Sequence, residues 1–153
     1  MKTFKAGDAA PHFEGVNQNG KKISLSDYAG KKLVLYFYPK DNTPGCTAES
    51  CNLSENYDAL VAKGYEILGV SADNEKSHLK FIDKYGFPFD LLADVDKKVI
   101  NDYGCWGPKK FMGREFDGIH RKTFVIENEK ILHVFEKVKT KDHTAQILEA
   151  IEN

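Results

Sequence analysis

Two continuous apolar runs separated by one amphipathic segment constrain the fold of this chain more than any other feature. Residues 33–38 and 65–70 are mainly apolar. Each run predicts a strand that is buried on both faces of a sheet. Between them, residues 47–63 carry apolar side chains three and four positions apart, which predicts one helix that ends at Gly64. A strand, a helix and a second strand in this order predict two parallel strands joined by a right-handed crossover.

Shorter elements are predicted on both sides of this unit. In chain order we predict a hairpin with a turn at 17–20 between strands around Phe13 and Ile23, a helix from Asp73 or Asn74 to Tyr85, a strand at 89–93, a short helix at 97–103, a long loop at 104–118, a hairpin formed by 122–126 and 130–135, and a last helix at 142–151. The spacing within the helix at 73–85 predicts that Leu79, Phe81 and Ile82 form its buried face. Long loops in compact domains are often functional, so the segment at 104–118 is of interest.

The order of these elements predicts an α/β fold. We expect a mixed central sheet flanked by helices, with an N-terminal β-hairpin as an extension. A chain that ends in a β-hairpin and a helix after βα repeats resembles the thioredoxin fold. The length of 153 residues fits one domain, so we expect residues 1–153 to form a single thioredoxin-like domain.

Composition and charge exclude several classes of function. The net charge is -1, which predicts no binding of nucleic acid or of an anionic membrane surface. No apolar run approaches the roughly 20 residues of a membrane span, and the first 15 residues lack the apolar core of a signal peptide, so we expect a cytoplasmic protein. Three cysteines are too few for a disulfide scaffold, and in a reducing compartment they are inert, metal-binding or catalytic.

The loop after the first buried strand contains Pro39, Thr43, Pro44, Gly45 and Cys46. In open α/β sheets, ligand sites lie beyond the carboxyl ends of the strands, where this loop is expected. The next helix should begin near Cys46, and the free N–H groups and dipole of a helix start stabilise a thiolate over a thiol. We therefore expect an accessible, nucleophilic sulfur, with the Thr43 hydroxyl able to donate and accept hydrogen bonds in the same turn. The alternative is that Cys46 is a buried apolar residue and that Thr43 only caps the helix.

A second cysteine, Cys51, follows Cys46 by five residues. In an ideal helix their Cα atoms are about 8.7 Å apart, whereas a disulfide needs roughly 7 Å or less. A bond between them would require the first turns of the helix to unwind, which is plausible for a helix end. Alternatively, Cys51 only packs on one face of the helix.

The sequence resembles one protein family through these residues. Pro39-x3-Thr43-x2-Cys46 is the active-site signature of the peroxiredoxins, and the string from 37 to 49 closely resembles the peroxiredoxin Q subfamily, also called bacterioferritin comigratory protein. The Cys-x4-Cys spacing is also a trait of many members. Further similarity runs from Gly7 to Phe13, through 69–71, and from Trp106 to Phe124, so the resemblance covers almost the whole chain.

The resemblance implies a thiol peroxidase that acts on hydrogen peroxide and organic hydroperoxides. Cys46 matches the peroxidatic cysteine, which peroxide oxidises to a sulfenic acid. Cys51 matches the resolving cysteine, which would form an intramolecular disulfide, and thioredoxin is the expected reductant. No metal, flavin or haem is implied, because sulfur supplies the redox chemistry. A resolving cysteine in the same chain removes the need for a partner subunit, so we expect a monomer.

The same resemblance implies the remaining site residues. Pro39, Thr43 and Arg121 match the family's other site positions, Glu49 matches a carboxylate that helps to orient the arginine, and Gly45 belongs to the signature loop. An arginine stays protonated at any ordinary pH, so Arg121 could hold a neighbouring thiolate without titrating. Its guanidinium and the Thr43 hydroxyl could also stabilise the charge that develops on the leaving oxygen. An ordinary surface arginine is the alternative.

Other functions remain to be weighed. A thioredoxin-type protein dithiol–disulfide oxidoreductase typically has Cys-x-x-Cys and a proline before its third strand, but here four residues separate the cysteines and Lys122-Thr123 precede Phe124. Nothing favours a non-enzymatic interaction module. Cys105 departs from the subfamily pattern and is either a spectator thiol or a backup resolving or intermolecular one. The histidines have no ligand spacing that would predict zinc: His12, His78, His120, His133 and His143.

Overall fold

The computed structural model of the chain describes residues 1–152. In chain order its elements are β1 (Glu14–Val16), β2 (Lys22–Ser24), a 3-10 helix (Leu25–Tyr28), β3 (Lys32–Phe37), α1 (Pro44–Glu55), α2 (Tyr57–Ala62), β4 (Tyr65–Ser71), α3 (Glu75–Tyr85), β5 (Asp90–Ala93), α4 (Lys98–Asp102), β6 (Trp106–Phe111), β7 (Arg114–Ile119), β8 (Lys122–Glu127), β9 (Lys130–Phe135) and α5 (His143–Glu152). The predicted α/β class is confirmed.

A five-stranded mixed sheet with the order β5-β4-β3-β8-β9 forms the centre of the fold. β3 pairs in parallel with β4, from Lys32 opposite Tyr65 to Phe37 opposite Val70, and β4 pairs in parallel with β5. β8 is antiparallel to both β3 and β9. The predicted crossover is therefore confirmed, and the segment that leaves β3 begins at the carboxyl edge of the parallel strands.

The two faces of the sheet carry separate cores, because alternate residues of a strand point to opposite faces. Leu33, Leu35 and Phe37 belong to one apolar cluster. Val34, Tyr36 and Tyr38 of the same segment belong to the other. The relative exposure of all six is at most 1%. The prediction of a strand that is buried on both faces is confirmed.

The prediction of one helix over 47–63 is wrong. The structure has two helices, α1 and α2, and the chain bends between them at Asn56 (φ -106°, ψ 11°). The Asn56 side-chain amide donates to the carbonyl of Asn52 at 2.8 Å. In a continuous helix this carbonyl would accept the backbone N–H of Asn56, so the side chain competes with the helix. α1 also begins earlier than predicted, with Pro44 in the first turn, where its missing N–H has no cost.

The prediction of a long loop over 104–118 is also wrong. The segment contains the two strands β6 and β7, which pair with each other and lie outside the five-stranded sheet. Their turn uses two residues with positive φ, Met112 (52°) and Gly113 (77°), which matches a tight hairpin turn. Most of both strands is exposed, so the alternation of apolar and polar residues that identifies a half-buried strand is absent.

The remaining elements largely follow the predictions. The N-terminal hairpin forms as β1 and β2, and the last hairpin as β8 and β9. Asn74 caps α3, since its side-chain oxygen accepts from the backbone N–H of Ser77, and Gly86 ends that helix at φ 69°. The predicted buried face of α3 is only partly correct, because Leu79 is 39% exposed and His78 is buried instead. Within residues 1–152, no helix is long and apolar enough to cross a bilayer.

Candidate active site

Cys46 lies in the first turn of α1, which begins at Pro44 after the N-cap residue Thr43. The predicted place at a helix start is therefore confirmed. The prediction of an accessible sulfur is wrong, because Cys46 is only 1% exposed and belongs to the core between the sheet and the helices. Neighbouring groups cover the sulfur, among them the Arg121 guanidinium at 3.3 Å.

Arg121 bridges Cys46 and Glu49. Its Nη2 donates to the Cys46 Sγ at 3.3 Å, and its Nη1 donates to the Glu49 Oε1 at 2.7 Å. The arginine lies in the short connection between β7 and β8, and its side chain is 23% exposed. Charge-assisted hydrogen bonds of this kind stabilise the ionised form of their acceptor. The structure thus brings together three residues that the sequence selected.

Gly45 leaves the room that Arg121 occupies. A Cβ atom at this position would lie 3.1 Å from the Arg121 Nη2, closer than an ordinary van der Waals contact. Any larger side chain at position 45 would press on the guanidinium that donates to Cys46. The requirement for glycine here is therefore spatial.

Thr43 and Pro39 lie in the loop between β3 and α1. The Thr43 hydroxyl donates to the carbonyl of Lys40 at 2.8 Å and makes no side-chain capping bond to α1. The sequence predicted that the Thr43 hydroxyl bonds within the turn of Cys46 or caps the helix. The hydroxyl instead donates within the loop that precedes α1. This bond uses the hydroxyl proton and leaves the oxygen's lone pairs as acceptors.

Asp41 anchors the same loop, and sequence reasoning missed this residue. Its carboxylate accepts from the Tyr38 hydroxyl at 2.6 Å and from the Ser77 hydroxyl at 2.8 Å. His78 Nδ1 lies 2.7 Å from the second carboxylate oxygen, and the backbone N–H of Asp41 donates to Asp73. Asp41, Asp73 and His78 offer ligand atoms within 4.8 Å of one another, and hydrogen bonds already occupy the Asp41 Oδ2, the Asp73 Oδ2 and the His78 Nδ1.

The far side of Glu49 is a buried polar pocket that the sequence did not signal. Glu49, Thr123 and His143 are each fully buried. The Thr123 hydroxyl lies 2.8 Å from the His143 Nε2, and the Glu49 Oε2 lies 3.6 Å from the same nitrogen. This oxygen has no hydrogen-bond partner among residues 1–152. Burial raises the pKa of Glu49 to about 7, although the Arg121 guanidinium opposes the shift. Burial lowers the pKa of His143 to about 4.

Cys51 lies in α1 together with Cys46, and both are free thiols. The helix is continuous between them, as expected where no disulfide has formed. Cys51 is half-buried, and its burial together with Glu55 raises its pKa. Immediately after it, Asn52 ties α1 to α5, since its Oδ1 accepts from the backbone N–H of Thr144 at 2.8 Å.

Cys105 is fully buried in the core on the opposite face of the sheet from Cys46. Burial raises the pKa of its thiol to about 12. A protonated sulfur behind the central sheet is a poor nucleophile for chemistry at Cys46. This geometry favours the spectator interpretation over the backup one.

Comparison with known proteins identifies the family of the chain. A family model described as the AhpC/TSA family matches residues 6–135. The chain is 43% identical over 149 residues to Peroxiredoxin Bcp of Escherichia coli, which covers 97% of this chain and 96% of the relative. It is 41% identical over 152 residues to Peroxiredoxin Bcp of Bacillus subtilis, with coverage of 99% and 97%.

Solved structures give the same result. A mutant of Xylella fastidiosa PrxQ superposes with a TM-score of 0.91 at 31% identity and covers 99% of this chain and 98% of its own. The bacterioferritin comigratory protein of Xanthomonas campestris, whose trapped intermediate and ligand complexes concern its alkyl peroxide reduction activity, superposes with a TM-score of 0.85 at 35% identity, covering 92% and 90%. The chain therefore belongs to the AhpC/TSA family and is a peroxiredoxin of the Bcp and peroxiredoxin Q subfamily.

Proposed function

We propose that this peroxiredoxin reduces hydrogen peroxide and organic hydroperoxides with Cys46 as the peroxidatic cysteine. The observation that carries the proposal is the 3.3 Å contact between the Arg121 guanidinium and the Cys46 sulfur at the start of a twelve-residue helix. A fixed cation and the positive end of a helix both favour a thiolate, which is the form that attacks peroxide.

The first step is a displacement at oxygen. The Cys46 thiolate attacks one peroxide oxygen, an S–O bond forms, and the O–O bond breaks with its electron pair moving to the leaving oxygen. Sulfur is oxidised to a sulfenic acid, and the peroxide is reduced to water or an alcohol. Arg121 and the backbone N–H groups at the start of α1 stabilise the negative charge as it moves from sulfur to oxygen. The free lone pairs of Thr43 can accept a hydrogen bond from the incoming hydroperoxide.

Cys51 resolves the sulfenic acid as an intramolecular disulfide. The first turns of α1 unwind in this step, because the two Cα atoms are too far apart in a helix. The bond between the Asn52 side chain and the Thr144 backbone N–H holds α1 against α5 just after Cys51, so we expect the unwinding to stop before it. Unwinding also breaks the 2.8 Å bond between the hydroxyls of Ser50 and Tyr36. An external dithiol, thioredoxin, then reduces the disulfide by exchange.

The protein acts as a cytoplasmic monomer built from a single domain. A resolving cysteine within the same helix supports the monomer, since no second chain has to supply a thiol. The protein takes part in cell redox homeostasis as an antioxidant enzyme, and its cycle involves no nucleic acid.

Replacement of the nucleophile tests the proposal. Cys46→Ser is expected to abolish peroxide consumption coupled to thioredoxin, thioredoxin reductase and NADPH. Cys105→Ser is the matched control, because it removes a buried thiol on the other face of the sheet, and its turnover should equal that of the wild type. Turnover that survives Cys46→Ser contradicts the assignment. Reduction of insulin without consumption of peroxide would instead indicate a thioredoxin-type oxidoreductase.

A second substitution tests resolution. In Cys51→Ser the first oxidation should proceed at the wild-type rate, whereas thioredoxin-coupled turnover should fall sharply. Mass spectrometry after one equivalent of peroxide should find a sulfenic acid at Cys46 in this variant and a Cys46–Cys51 disulfide in the wild type. Undiminished turnover of Cys51→Ser excludes the resolving role.

A further inference from the structure

The hydrogen bonds of the pocket behind Arg121 leave the Glu49 Oε2 without a donor, and the orientation of Gln146 explains why. The Gln146 Oε1 accepts from the backbone N–H of Lys139 at 3.0 Å, while its Nε2 donates to the carbonyl of Lys137 at 2.8 Å. The amide orientation is therefore fixed. Because the same Oε1 lies 2.8 Å from the His143 Nδ1 and can only accept, the proton of the imidazole is on Nδ1.

The other nitrogen of His143 is then an acceptor. Its lone pair receives the Thr123 hydroxyl proton at 2.8 Å. The Glu49 Oε2 faces this acceptor at 3.6 Å, is buried, and receives no hydrogen bond. An ionised Glu49 would therefore direct a desolvated carboxylate oxygen at a lone pair. A protonated Glu49 would instead have a donor with two acceptors within reach, the imidazole nitrogen and the threonine oxygen.

The charges around Glu49 give the same answer. Arg121 is the cation that contacts both Glu49 and Cys46. When Cys46 is a thiolate and Glu49 a carboxylate, two buried anions contact one guanidinium, so one desolvated negative charge has no contacting cation of its own. With Glu49 protonated, the negative charge of the thiolate and the positive charge of the guanidinium cancel.

The other titratable groups near Glu49 do not supply a second cation. Tyr36 faces it from β3, and burial raises the pKa of this phenol well above its usual value, so the ring stays neutral. His143 faces it from α5 and is neutral at ordinary pH because burial lowers its pKa. Lys109 of β6 is a cation near Arg121 and Cys46, and burial and the guanidinium lower its pKa. Its ammonium donates to the carbonyl of Ile119 at 2.8 Å rather than to Glu49.

We propose that Cys46 and Glu49 hold one negative charge between them, and that oxidation transfers this charge from sulfur to Glu49. This inference rests on the proposed function, because it takes Cys46 as the sulfur that peroxide oxidises. In the reduced protein the thiolate carries the charge and Glu49 is protonated. When the O–O bond breaks, the leaving oxygen gains one proton and Glu49 loses one. The step therefore takes up no net proton from solvent. His143 and Thr123 are positioning residues, since they provide the acceptors for the Glu49 proton.

Infrared difference spectroscopy tests the proposal in the full chain carrying Cys51→Ser, in which oxidation stops before α1 unwinds. One equivalent of hydrogen peroxide at pH 7 should remove a C=O signal of a protonated carboxyl group. Adding Glu49→Gln should eliminate this loss. Asp94→Asn is the matched control, because Asp94 is also buried with a raised pKa but is bound by backbone N–H groups at the start of α4, and the signal should persist.

The outcomes separate the two proposals. If mass spectrometry finds no oxidised Cys46, the proposed function fails. If Cys46 is oxidised but no carboxyl signal is lost, the function stands and the shared charge is refuted. Proton counting with an indicator dye gives a second measurement: oxidation should take up one proton in Glu49→Gln and close to none in the Cys51→Ser parent. Equal uptake in both proteins contradicts the proposal.

The positioning role of His143 has its own measurement. His143→Leu removes the acceptor, so Glu49 should lose its proton at a lower pH, and the carboxyl signal of the reduced protein should disappear at a lower pH than in the parent. His143→Gln, which offers a new acceptor oxygen, should restore the parent's behaviour. The same midpoint in all three proteins would show that His143 does not support the Glu49 proton.

Discussion

Two buried histidine–carboxylate pairs lie beside the Cys46 helix, and they differ in how completely they are hydrogen-bonded. In the first pair, Asp41 and His78 are 2.7 Å apart, and both carboxylate oxygens of Asp41 have donors. In the second pair, Glu49 and His143 are 3.6 Å apart, and the facing oxygen has none. The first pair fixes the loop that leads to the nucleophile, whereas the second leaves a proton free to move.

The nitrogen of each imidazole that faces the carboxylate explains the difference. In both pairs the far nitrogen lies within hydrogen-bond distance of an oxygen that can only accept, the Leu92 carbonyl for His78 and the Gln146 Oε1 for His143, so the far nitrogen carries a proton in both. The facing nitrogen of His78 contacts the Asp41 carboxylate directly, whereas that of His143 is taken by the Thr123 hydroxyl. A buried pair of this kind is therefore saturated or left open according to what occupies the facing nitrogen.

The largest effect is expected from breaking the saturated pair. His78→Leu removes the imidazole that lies 2.7 Å from the buried Asp41 carboxylate, and breaking a buried pair in this way costs about 3–5 kcal/mol. Urea denaturation at pH 7 should show a decrease of this size in the free energy of unfolding. His12→Ala is the control, since the His12 side chain is 75% exposed and pairs with Glu129 at the surface, and its effect should stay within about 0.5 kcal/mol. A decrease below about 1 kcal/mol for His78→Leu would show that the pair does not anchor the loop.

The next largest effect should come from removing the cation on the unsaturated side. Arg121→Met deprives the Cys46 thiolate of its donor and the leaving oxygen of its stabilising charge, so the rate of Cys46 oxidation should fall by about 10²–10³. Stopped-flow measurement of sulfenic acid formation gives this rate directly. Arg114→Met is a matched control, because Arg114 is the other arginine of the chain and lies exposed in β7. Equal losses in the two variants would contradict the role of Arg121.

The sequence predicted one side of this comparison better than the other. Cys46 and Thr43 could be selected because a nucleophile leaves a local signature, and Arg121 and Glu49 through the family resemblance. The two histidine–carboxylate pairs could not, because their members are far apart in the chain: 37 residues separate Asp41 from His78, and 94 (143 minus 49) separate Glu49 from His143. Their contacts depend on how α3 and α5 pack against the loop and α1.

The fold shows the same division. Strands buried on both faces, such as β3 and β4, were predictable from their apolar runs. The hairpin of β6 and β7 was not, because few of its residues are buried and hydrophobic periodicity reports burial. The burial of Cys46 was missed for a related reason. A position at a helix start predicts the electrostatic environment of the Cys46 sulfur. Its exposure depends instead on the residues that pack over it, including Arg121.

Stability as a function of pH should separate the two members of the unsaturated pair. Glu49 has a pKa raised from 4.5 to about 7, so the folded state binds more protons than the unfolded state in this range, and this group's contribution to stability falls as pH rises from 4.5 to 7. His143 has a pKa lowered from 6.5 to about 4, so its contribution rises with pH from 4 to 6.5. The two contributions oppose each other where the ranges overlap.

Single substitutions should reveal each contribution. The free energy of unfolding of Glu49→Gln minus that of the wild type should increase with pH between 4.5 and 7, by at most about 3 kcal/mol. The same difference for His143→Gln should decrease between pH 4 and 6.5. Urea titrations at several pH values measure both. Slopes of the same sign in the two variants would show that the histidine and the carboxyl do not titrate as a buried, opposed pair.

The smallest effect tests the geometry of the shared cation without changing any charge. Gly45→Ala places a methyl group 3.1 Å from the Arg121 Nη2, so the guanidinium must shift by a few tenths of an ångström. A misplacement of 1 Å can cost about 100-fold in rate, so a smaller shift should slow Cys46 oxidation by roughly three- to tenfold.

The same substitution should raise the free energy of unfolding by up to about 1 kcal/mol, because alanine loses less backbone entropy than glycine in a helix. Stopped-flow oxidation and urea denaturation should therefore move in opposite directions: a more stable protein with a slower nucleophile. If both stability and rate decline, the methyl group disturbs the fold of α1 itself, and the spatial role of Gly45 is contradicted.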